Sequence, residues 1–406
     1  METHSVSSGV KVRIHPNVII ENFEYENFES LQFLTASVVY AGLSPWLGIT
    51  GITKELLNDG QSFTGISMEY KQPESLKFDI GSLFKLQIDF GYSPGSDPRT
   101  FTGYELKETC YTSFIFKEPG INFKDLLKWI EHYRRLLTTL FGQSSFITYF
   151  RVTDSLDLTL NNSYNVFYRN TIDGFPNRAP SLTRMRTQFK DISIPLTNIL
   201  NRWSMYHLSD DLDYVGWVAS KNFHHFSEET FLEVSRSLEV FCGAIMSKNV
   251  YSEEIKEKFK LSIINKIYIG EIFGNKTNKE LSDSDKDSFD DIVEKMLSAI
   301  TYSDSISLRR KIKNALSLIK EQLDNEKFKE LFSDAKSLPD VIVDNRNYYT
   351  HYDENSIKKI KKNELNIEQL VLLTRKVKKI FLLLLFKDLG IPMQQIANSL
   401  IHLDVS

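Results

Sequence analysis

The hydrophobic and polar positions follow two different periods along the chain. Before residue 120, apolar and polar side chains alternate in several short stretches, which is the period of a half-buried β-strand. Turn residues such as those of GYSPGSDPRT separate these stretches. The predicted strands are Val10 to Ile14, Phe63 to Tyr70, Leu76 to Ile80, Phe84 to Phe90 and, rich in β-branched and aromatic residues, Tyr104 to Phe116. Short strands with turns between them favour an antiparallel sandwich or barrel-like domain.

Apolar residues recur every three or four positions in the segment that begins at Asn122. This period predicts a helix from Asn122 to about Phe141, which Gly142 can end. Two further strands are predicted at Ser145 to Val152 and at Tyr164 to Arg169. From about residue 190 the helical period persists to the end of the chain, so the C-terminal part is predicted to be a helical bundle.

Capping residues predict several helix boundaries in this second half. One long helix is predicted from Ser307 to about Phe332, and another begins at Ser337. Asn366 is the predicted N-cap of a helix over Ile367 to Leu389. The whole pattern predicts an α+β fold: a mainly antiparallel β-sandwich-like domain with a helix over residues 1–190, a helical connector over 191–224 and an all-α bundle over 225–406.

Charge and cysteine content exclude some classes of protein. The 406 residues carry a formal net charge of −4, so nucleic acid can be bound only through a local basic patch. Cys110 and Cys242 lie far apart and match no metal-ligand spacing, which favours two buried thiols in a reducing cytosol. His224 and His225 are adjacent and point apart on a helix, so no metal or cofactor site is predicted.

No membrane segment is predicted from the sequence. The N-terminus METHSVSSGVKVRIH lacks the apolar core of a signal peptide. The longest apolar run, Ile380 to Phe386, is far shorter than the roughly 20 residues of a membrane span and predicts a buried helix. These features predict a cytoplasmic protein without membrane contact.

The segment VIVDNRNYYTHYDENS holds the closest grouping of side chains that could take part in catalysis. Arg346 can neutralise and hydrogen-bond a phosphate, and His351 can exchange a proton near neutral pH, with the amide of Asn347 beside them. These groups suit metal-free cleavage of RNA, in which the 2′-OH attacks phosphorus while a side chain moves protons and a cation stabilises charge. On a helix, however, Arg346 and His351 lie about 140° apart, so one copy does not place them side by side.

Each candidate residue also has a plain structural interpretation. Arg346 and His351 can be surface or capping residues, and Tyr348, Tyr349 and Tyr352 can stack on bases or pack in a core. Tyr352 is kept as a supporting residue of the site. Two groups of cations can line an RNA groove or cover a solvated helix face: Lys358, Lys359, Lys361 and Lys362, and then Arg375, Lys376, Lys378 and Lys379. A small basic loop is predicted to lie at the surface, with contact to RNA or to the other domain as its alternatives; it comprises Arg178, Arg184, Arg186 and Lys190.

The segment from Asp344 to Tyr352 resembles the signature of HEPN domains, an Arg, a polar residue, three further residues and a His on a late helix of a small bundle. Leu308 to Ile312 is similar to the preceding helix in ApeA-like HEPN proteins, and the closing helix with Leu382 to Leu385 is similar as well. In the N-terminal half, Ala41 to Leu47, the strands and the helix from Asn122 resemble the ApeA N-terminal domain. The resemblance covers nearly the whole chain.

This resemblance implies a bacterial anti-phage protein of the abortive-infection type. It implies a metal-independent endoribonuclease toxin that cleaves cellular RNA, commonly tRNA, with Arg346, His351 and Asn347 as its catalytic residues. Glu239, on the first helix of the bundle, is the candidate for a supporting acid. The family further implies a homodimer in which two such motifs face one another, and an N-terminal domain that senses a phage component or restrains the nuclease.

Two other functions stay open at this point. The first is a non-catalytic HEPN module that binds nucleotide or RNA, or dimerises, within a defence complex. The second is a purely structural adaptor, for which neither Arg346 nor His351 would matter. Cleavage of RNA by the wild-type protein, and its loss on His351→Ala, separates the enzyme from both alternatives.

Overall fold

The computed structural model describes residues 18–21, 32–58, 60, 62–96, 104–117, 120–154, 163–169, 180–221, 227–245, 257–258, 261–262, 291–295, 307–351 and 365–401. Contacts divide the chain into two units, the first formed by Met1–His225 with Leu385–Ser406 and the second by Phe226–Leu384. The predicted strand at Val10 to Ile14 and the pair His224 and His225 lie outside the described residues.

The first unit is built on an antiparallel sheet. Its described strands are β1 (Val18–Ile20), β2 (Gln32–Phe33), β3 (Thr35–Tyr40), β4 (Ile52–Asn58), β5 (Phe63–Tyr70), β6 (Leu76–Ile80), β7 (Phe84–Ser96), β8 (Tyr104–Phe116), β9 (Ile121–Asn122), β10 (Ile147–Thr153) and β11 (Ser163–Tyr168). Seven of them form one sheet in the order β1-β11-β10-β3-β8-β7-β6, while β2 with β9 and β4 with β5 form separate pairs. Every pairing is antiparallel, as the alternating pattern predicts.

Eleven α-helices are described in the two units. They are α1 (Leu43–Leu47), α2 (Phe123–Phe141), α3 (Phe189–Ile192), α4 (Leu196–His207), α5 (Asp210–Ser220), α6 (Glu228–Ile245), α7 (Leu308–Gln322), α8 (Asn325–Leu331), α9 (Leu338–His351), α10 (Ile367–Asp388) and α11 (Met393–Ile401). The predicted α+β class is confirmed, with a sheet domain first and a helical region after it.

Helix α2 is the central element of the first unit. The side chain of Asn122 caps its first turn by accepting a hydrogen bond from the Asp125 amide at 2.9 Å, and Gly142 ends it with a φ of 69°. Its apolar face packs across the sheet, where the ring of Tyr133 lies 5.3 Å from that of Tyr40. The predicted helix from Asn122 to Phe141 is therefore confirmed at both ends.

Helices α4 and α5 form a further layer against α2. Trp203 on α4 donates its indole N–H to the backbone oxygen of His132 on α2 at 2.9 Å, and His132 Nε2 lies 2.8 Å from the backbone oxygen of Trp203. Asp388, also in the first unit, accepts hydrogen bonds from Arg202 Nε at 2.8 Å and from the Tyr206 hydroxyl at 2.5 Å. These polar contacts help to hold α4 against its neighbours.

The prediction of a basic surface loop is wrong for Arg186. This side chain is only 9% exposed and donates from Nη1 to the backbone oxygen of Thr139 at 2.7 Å, in the last turn of α2. Burial lowers the pKa of its guanidinium to about 10, which still leaves it charged at neutral pH. A cation at this place satisfies an unpaired helix carbonyl and complements the negative end of the helix dipole. Arg184, two residues earlier, is exposed.

The second unit is helical in its described residues. The cap of α10 is confirmed, because Asn366 accepts from the Gln369 amide at 2.8 Å, and the run Ile380 to Phe386 is buried as predicted. The single helix predicted from Ser307 to Phe332 is wrong. It breaks after Gln322, because Asp324 caps a new helix by accepting from the Lys327 amide at 2.9 Å.

Two further expectations concern cysteines and lysines. Cys110 and Cys242 are both buried free thiols, as predicted. Lys379 is only 3% exposed, so the interpretation of its group as a solvated helix face does not hold for this residue. Among the described residues, no helix is long and apolar enough to cross a bilayer.

Candidate active site

The motif singled out in the sequence lies at the end of α9. This helix runs without interruption from Leu338 to His351, so the backbone positions of Arg346 and His351 are about 140° apart around its axis. Asn345 is fully buried, while Arg346 and Asn347 are half-buried. The helix thus presents Arg346 at a partly shielded surface, where an anion can still reach it.

Arg346 is held by two polar side chains. Its Nη2 lies 3.2 Å from Oε2 of Glu239 on α6, and its Nη1 donates to Oδ1 of Asn347 at 3.3 Å. The side chains of Arg346 and Glu239 are 30% and 31% exposed. Glu239 and Asn347 therefore fix the plane of the guanidinium without removing it from solvent.

A second cation lies close to this pair. Lys311 on α7 donates from Nζ to the backbone oxygen of Glu239 at 3.3 Å. Arg309, two residues before it on α7, pairs with two acids of α9: Asp340 at 2.7 Å and Asp344 at 3.5 Å. Three helices of the second unit, α6, α7 and α9, therefore meet where Arg346 lies.

The tyrosines of the motif take part in packing. The ring of Tyr349 lies 6.2 Å from that of Phe231 on α6 and 5.0 Å from that of Tyr348, both in edge-on geometry. Both tyrosines are half-buried. These contacts support the packing interpretation for Tyr349, which helps to hold α9 against α6.

Some of the candidate residues lie outside what the structure describes. For His351 the helix backbone is described and the side chain is not. Tyr352 and the four lysines Lys358, Lys359, Lys361 and Lys362 lie outside the described residues.

The structure therefore brings together Arg346, Asn347 and Glu239 from the predicted set. It also adds Lys311, to which no role was assigned in the sequence. The only signal for Lys311 there was its place in the segment Leu308 to Ile312, which resembles a HEPN helix.

Comparison with known families covers both halves of the chain. A family model described as ApeA N-terminal domain 1 matches residues 2–203, and one described as Apea-like HEPN matches residues 232–395. Searches of the curated proteins and of the solved structures gave no match. The second matched region contains Glu239, Lys311, Arg346 and His351. Because the two models match in this order and leave little of the chain uncovered, the chain belongs to the family of ApeA-like HEPN proteins.

Proposed function

We propose that this protein is a metal-independent endoribonuclease of anti-phage defence. The observation that carries the proposal is the contact of Arg346 with Glu239 and Asn347, on the helix that also carries His351. HEPN domains are commonly ribonucleases, and the ApeA family is associated with defence against phage. A partly exposed guanidinium of fixed orientation is suited to a phosphate, which it can bind through two parallel hydrogen bonds.

In the proposed reaction the RNA supplies its own nucleophile. A histidine at position 351 takes the proton of the 2′-OH while the 2′ oxygen bonds to phosphorus. The bond from phosphorus to the 5′ oxygen breaks, and a protonated histidine donates a proton to that leaving oxygen. Arg346 stabilises the charge that builds on the non-bridging oxygens. The products are a 2′,3′-cyclic phosphate and a 5′-OH, and DNA is spared because it has no 2′-OH.

Two copies of the chain are proposed to form the site together. HEPN domains typically dimerise. The angle of about 140° between Arg346 and His351 on one helix keeps the two groups of one copy apart. A facing copy supplies a second Arg346 and a second His351, so that each phosphate meets an arginine of one copy and a histidine of the other. In each such pair, the histidine that takes the proton of the 2′-OH can also return it to the leaving 5′ oxygen.

Glu239 is proposed to position Arg346. An ion pair of this exposure contributes at most about 1 kcal/mol of stability, so an incoming phosphate can take its place at little cost. Lys311 adds positive charge beside Glu239, and the lysines from Lys358 to Lys362 are proposed to bind the RNA backbone.

The biological role is proposed to be an abortive-infection toxin that acts in the bacterial cytoplasm. The cleaved RNA is cellular, with tRNA as the first candidate, and its loss stops translation and phage growth. The N-terminal region, residues 1–190, is proposed to sense a phage-derived trigger and to restrain the nuclease of residues 225–406 until infection.

The test is RNA cleavage by the full-length protein in EDTA. With an extract of phage-infected cells as the trigger, the wild-type protein is expected to cut RNA and to leave 2′,3′-cyclic phosphate ends, and to cut it more slowly without the extract. His351→Ala is expected to lower the rate by at least about 100-fold, because a general acid–base group supplies that much or more. Cleavage that persists in His351→Ala, or that appears only when Mg²⁺ is added, would refute the proposal.

A second candidate function is favoured by the same ion pair. Since Arg346 already has partners in the isolated chain, it can serve a non-catalytic module that binds nucleotide or dimerises. This alternative predicts that Arg346→Ala weakens self-association or nucleotide binding, and that the wild-type protein cleaves no RNA with any trigger.

A further inference from the structure

Two histidines and one aspartate of the first unit form a cluster that the proposed nuclease does not use. His132 lies on α2, His207 is the last residue of α4 and Asp213 lies on α5. Their ligand atoms all lie within 4.8 Å of one another. Nδ1 of His132 and Nδ1 of His207 lie 3.4 Å and 3.3 Å from the same oxygen, Oδ1 of Asp213.

The tautomer of His132 leaves a nitrogen lone pair inside this cluster. The ring is almost fully buried, and its Nε2 lies 2.8 Å from the backbone oxygen of Trp203, which can only accept a hydrogen bond. Nε2 therefore carries the proton, and Nδ1 of the neutral ring has a lone pair. Within the described part of the chain, this buried Nδ1 has no hydrogen-bond partner of good geometry. A lone pair that faces a carboxylate is satisfied by a cation between them, either a proton on Nδ1 or a metal ion, and the 3.4 Å distance is long for a hydrogen bond.

We propose that His132, His207 and Asp213 bind a zinc ion. For zinc–ligand bonds of 2.0–2.1 Å in a tetrahedron, the distance between two ligand atoms is about 3.3–3.4 Å. The two measured distances to Asp213 Oδ1 agree with this value, whereas an octahedral site with similar bonds needs about 3.0 Å. The third edge, between the two histidines, is at most 4.8 Å long, so a shift of at most about 1.4 Å by the His207 ring brings it to the tetrahedral value.

The surroundings of the cluster resemble those of metal ligands in general. A ligating histidine usually donates its other N–H to a carbonyl or carboxylate, and a ligating carboxylate is itself hydrogen-bonded. Here Trp203 provides the carbonyl for His132, and Arg135 donates from Nη1 to the second oxygen of Asp213 at 3.1 Å. Oδ1 lies in a 3.3 Å hydrogen bond with Nδ1 of His207, which a metal ion bound to both atoms replaces. With three protein ligands, the fourth position belongs to a water molecule at the more exposed side of Asp213.

A zinc ion at this position joins α2, α4 and α5, so its role is to stabilise the first unit. It involves none of the residues assigned to RNA cleavage. The inference is therefore independent of the proposed nuclease and compatible with cleavage that needs no metal.

The experiment measures the zinc content of the full-length protein, purified without a histidine tag and dialysed with Zn²⁺. One zinc per chain is expected for the wild type, and Co²⁺ in its place is expected to give the intense visible absorption of tetrahedral cobalt. His207→Ala and Asp213→Asn are expected to lose zinc affinity by more than the roughly 10–100-fold that loss of an outer hydrogen bond produces. Added Zn²⁺ should raise the melting temperature of the wild type and not that of these variants.

Asp211→Asn is the matched control, since Asp211 is an exposed carboxylate on the same helix. It should bind zinc as the wild type does. Circular dichroism confirms that each variant is folded. If His207→Ala unfolds, the nearly isosteric Asp213→Asn still tests whether the cluster binds zinc. The inference is overturned if the wild type binds no Zn²⁺, if all four proteins bind it equally, or if the cobalt spectrum is that of an octahedral site.

Discussion

At the scale of single residues, Arg346 combines orientation with access. Glu239 and Asn347 hold its guanidinium from two sides, yet 30% of its side chain remains exposed. Because exposed ion pairs contribute little to stability, the arrangement serves to orient the group more than to hold the fold together. The free energy of unfolding and the cleavage rate should therefore respond differently to substitution at this site.

Arg346→Lys keeps the positive charge and removes the planar fork. We expect the cleavage rate constant kcat to fall by about 100–1,000-fold with a small change in KM, because the lost hydrogen bonds act on the transition state. Steady-state cleavage of a labelled RNA measures this. Arg309→Lys is the matched control, since Arg309 pairs with Asp340 and Asp344 on the same helix α9. Equal losses in both variants would mean that helix α9, and not the fork, was disturbed.

Glu239→Gln tests the positioning role of the acid. We expect kcat to fall by about 10-fold while the free energy of unfolding changes by less than about 1 kcal/mol, since the ion pair is exposed. Glu229→Gln, an exposed glutamate on the same helix α6, should leave both quantities unchanged. A large fall in stability with unaltered kcat would assign Glu239 a structural role only.

At the scale of elements, the ends of α2 can be predicted from neighbouring residues in the sequence, whereas the side chain that packs against its last turn cannot. Asn122 and Gly142 mark its two ends in the sequence, and both act as predicted. The burial of Arg186 against its last turn was not predicted, because a short run of arginines looks the same in a surface loop and beside a helix end. The break at Asp324 was missed because the apolar period continues across it.

Arg186→Met is expected to lower the free energy of unfolding by about 2 kcal/mol. The methionine fills most of the space but leaves the backbone oxygen of Thr139 buried without a charged donor, and a lost charge-assisted hydrogen bond costs about that much. Urea unfolding measures it. Arg184→Ala, on an exposed turn two residues earlier, should change stability by less than about 0.5 kcal/mol. Similar values for both would show that burial of Arg186 contributes nothing.

At the scale of the whole molecule, the sequence predicts classes of structure better than sites. Alternation and helical periods suffice for a sheet domain followed by helices, because each strand and helix is encoded by neighbouring residues. The contact between Arg346 and Glu239 joins positions 107 apart, and His132 lies 71 residues before its hydrogen-bond partner Trp203. Spacing along the chain carries no signal for such pairs. Glu239 could therefore be predicted only from the family resemblance, and the histidine cluster could be found only in the folded structure.

The central claim is that Arg346 of one copy and His351 of another form one active site. Its most direct test is the purified heterodimer of Arg346→Ala and His351→Ala chains, obtained by co-expression with two different tags. If the site is shared, this heterodimer keeps one intact pair and cleaves RNA at about half the rate of the wild-type dimer, while both parent homodimers are inactive. A heterodimer as inactive as its parents, beside an active wild type, would contradict the claim.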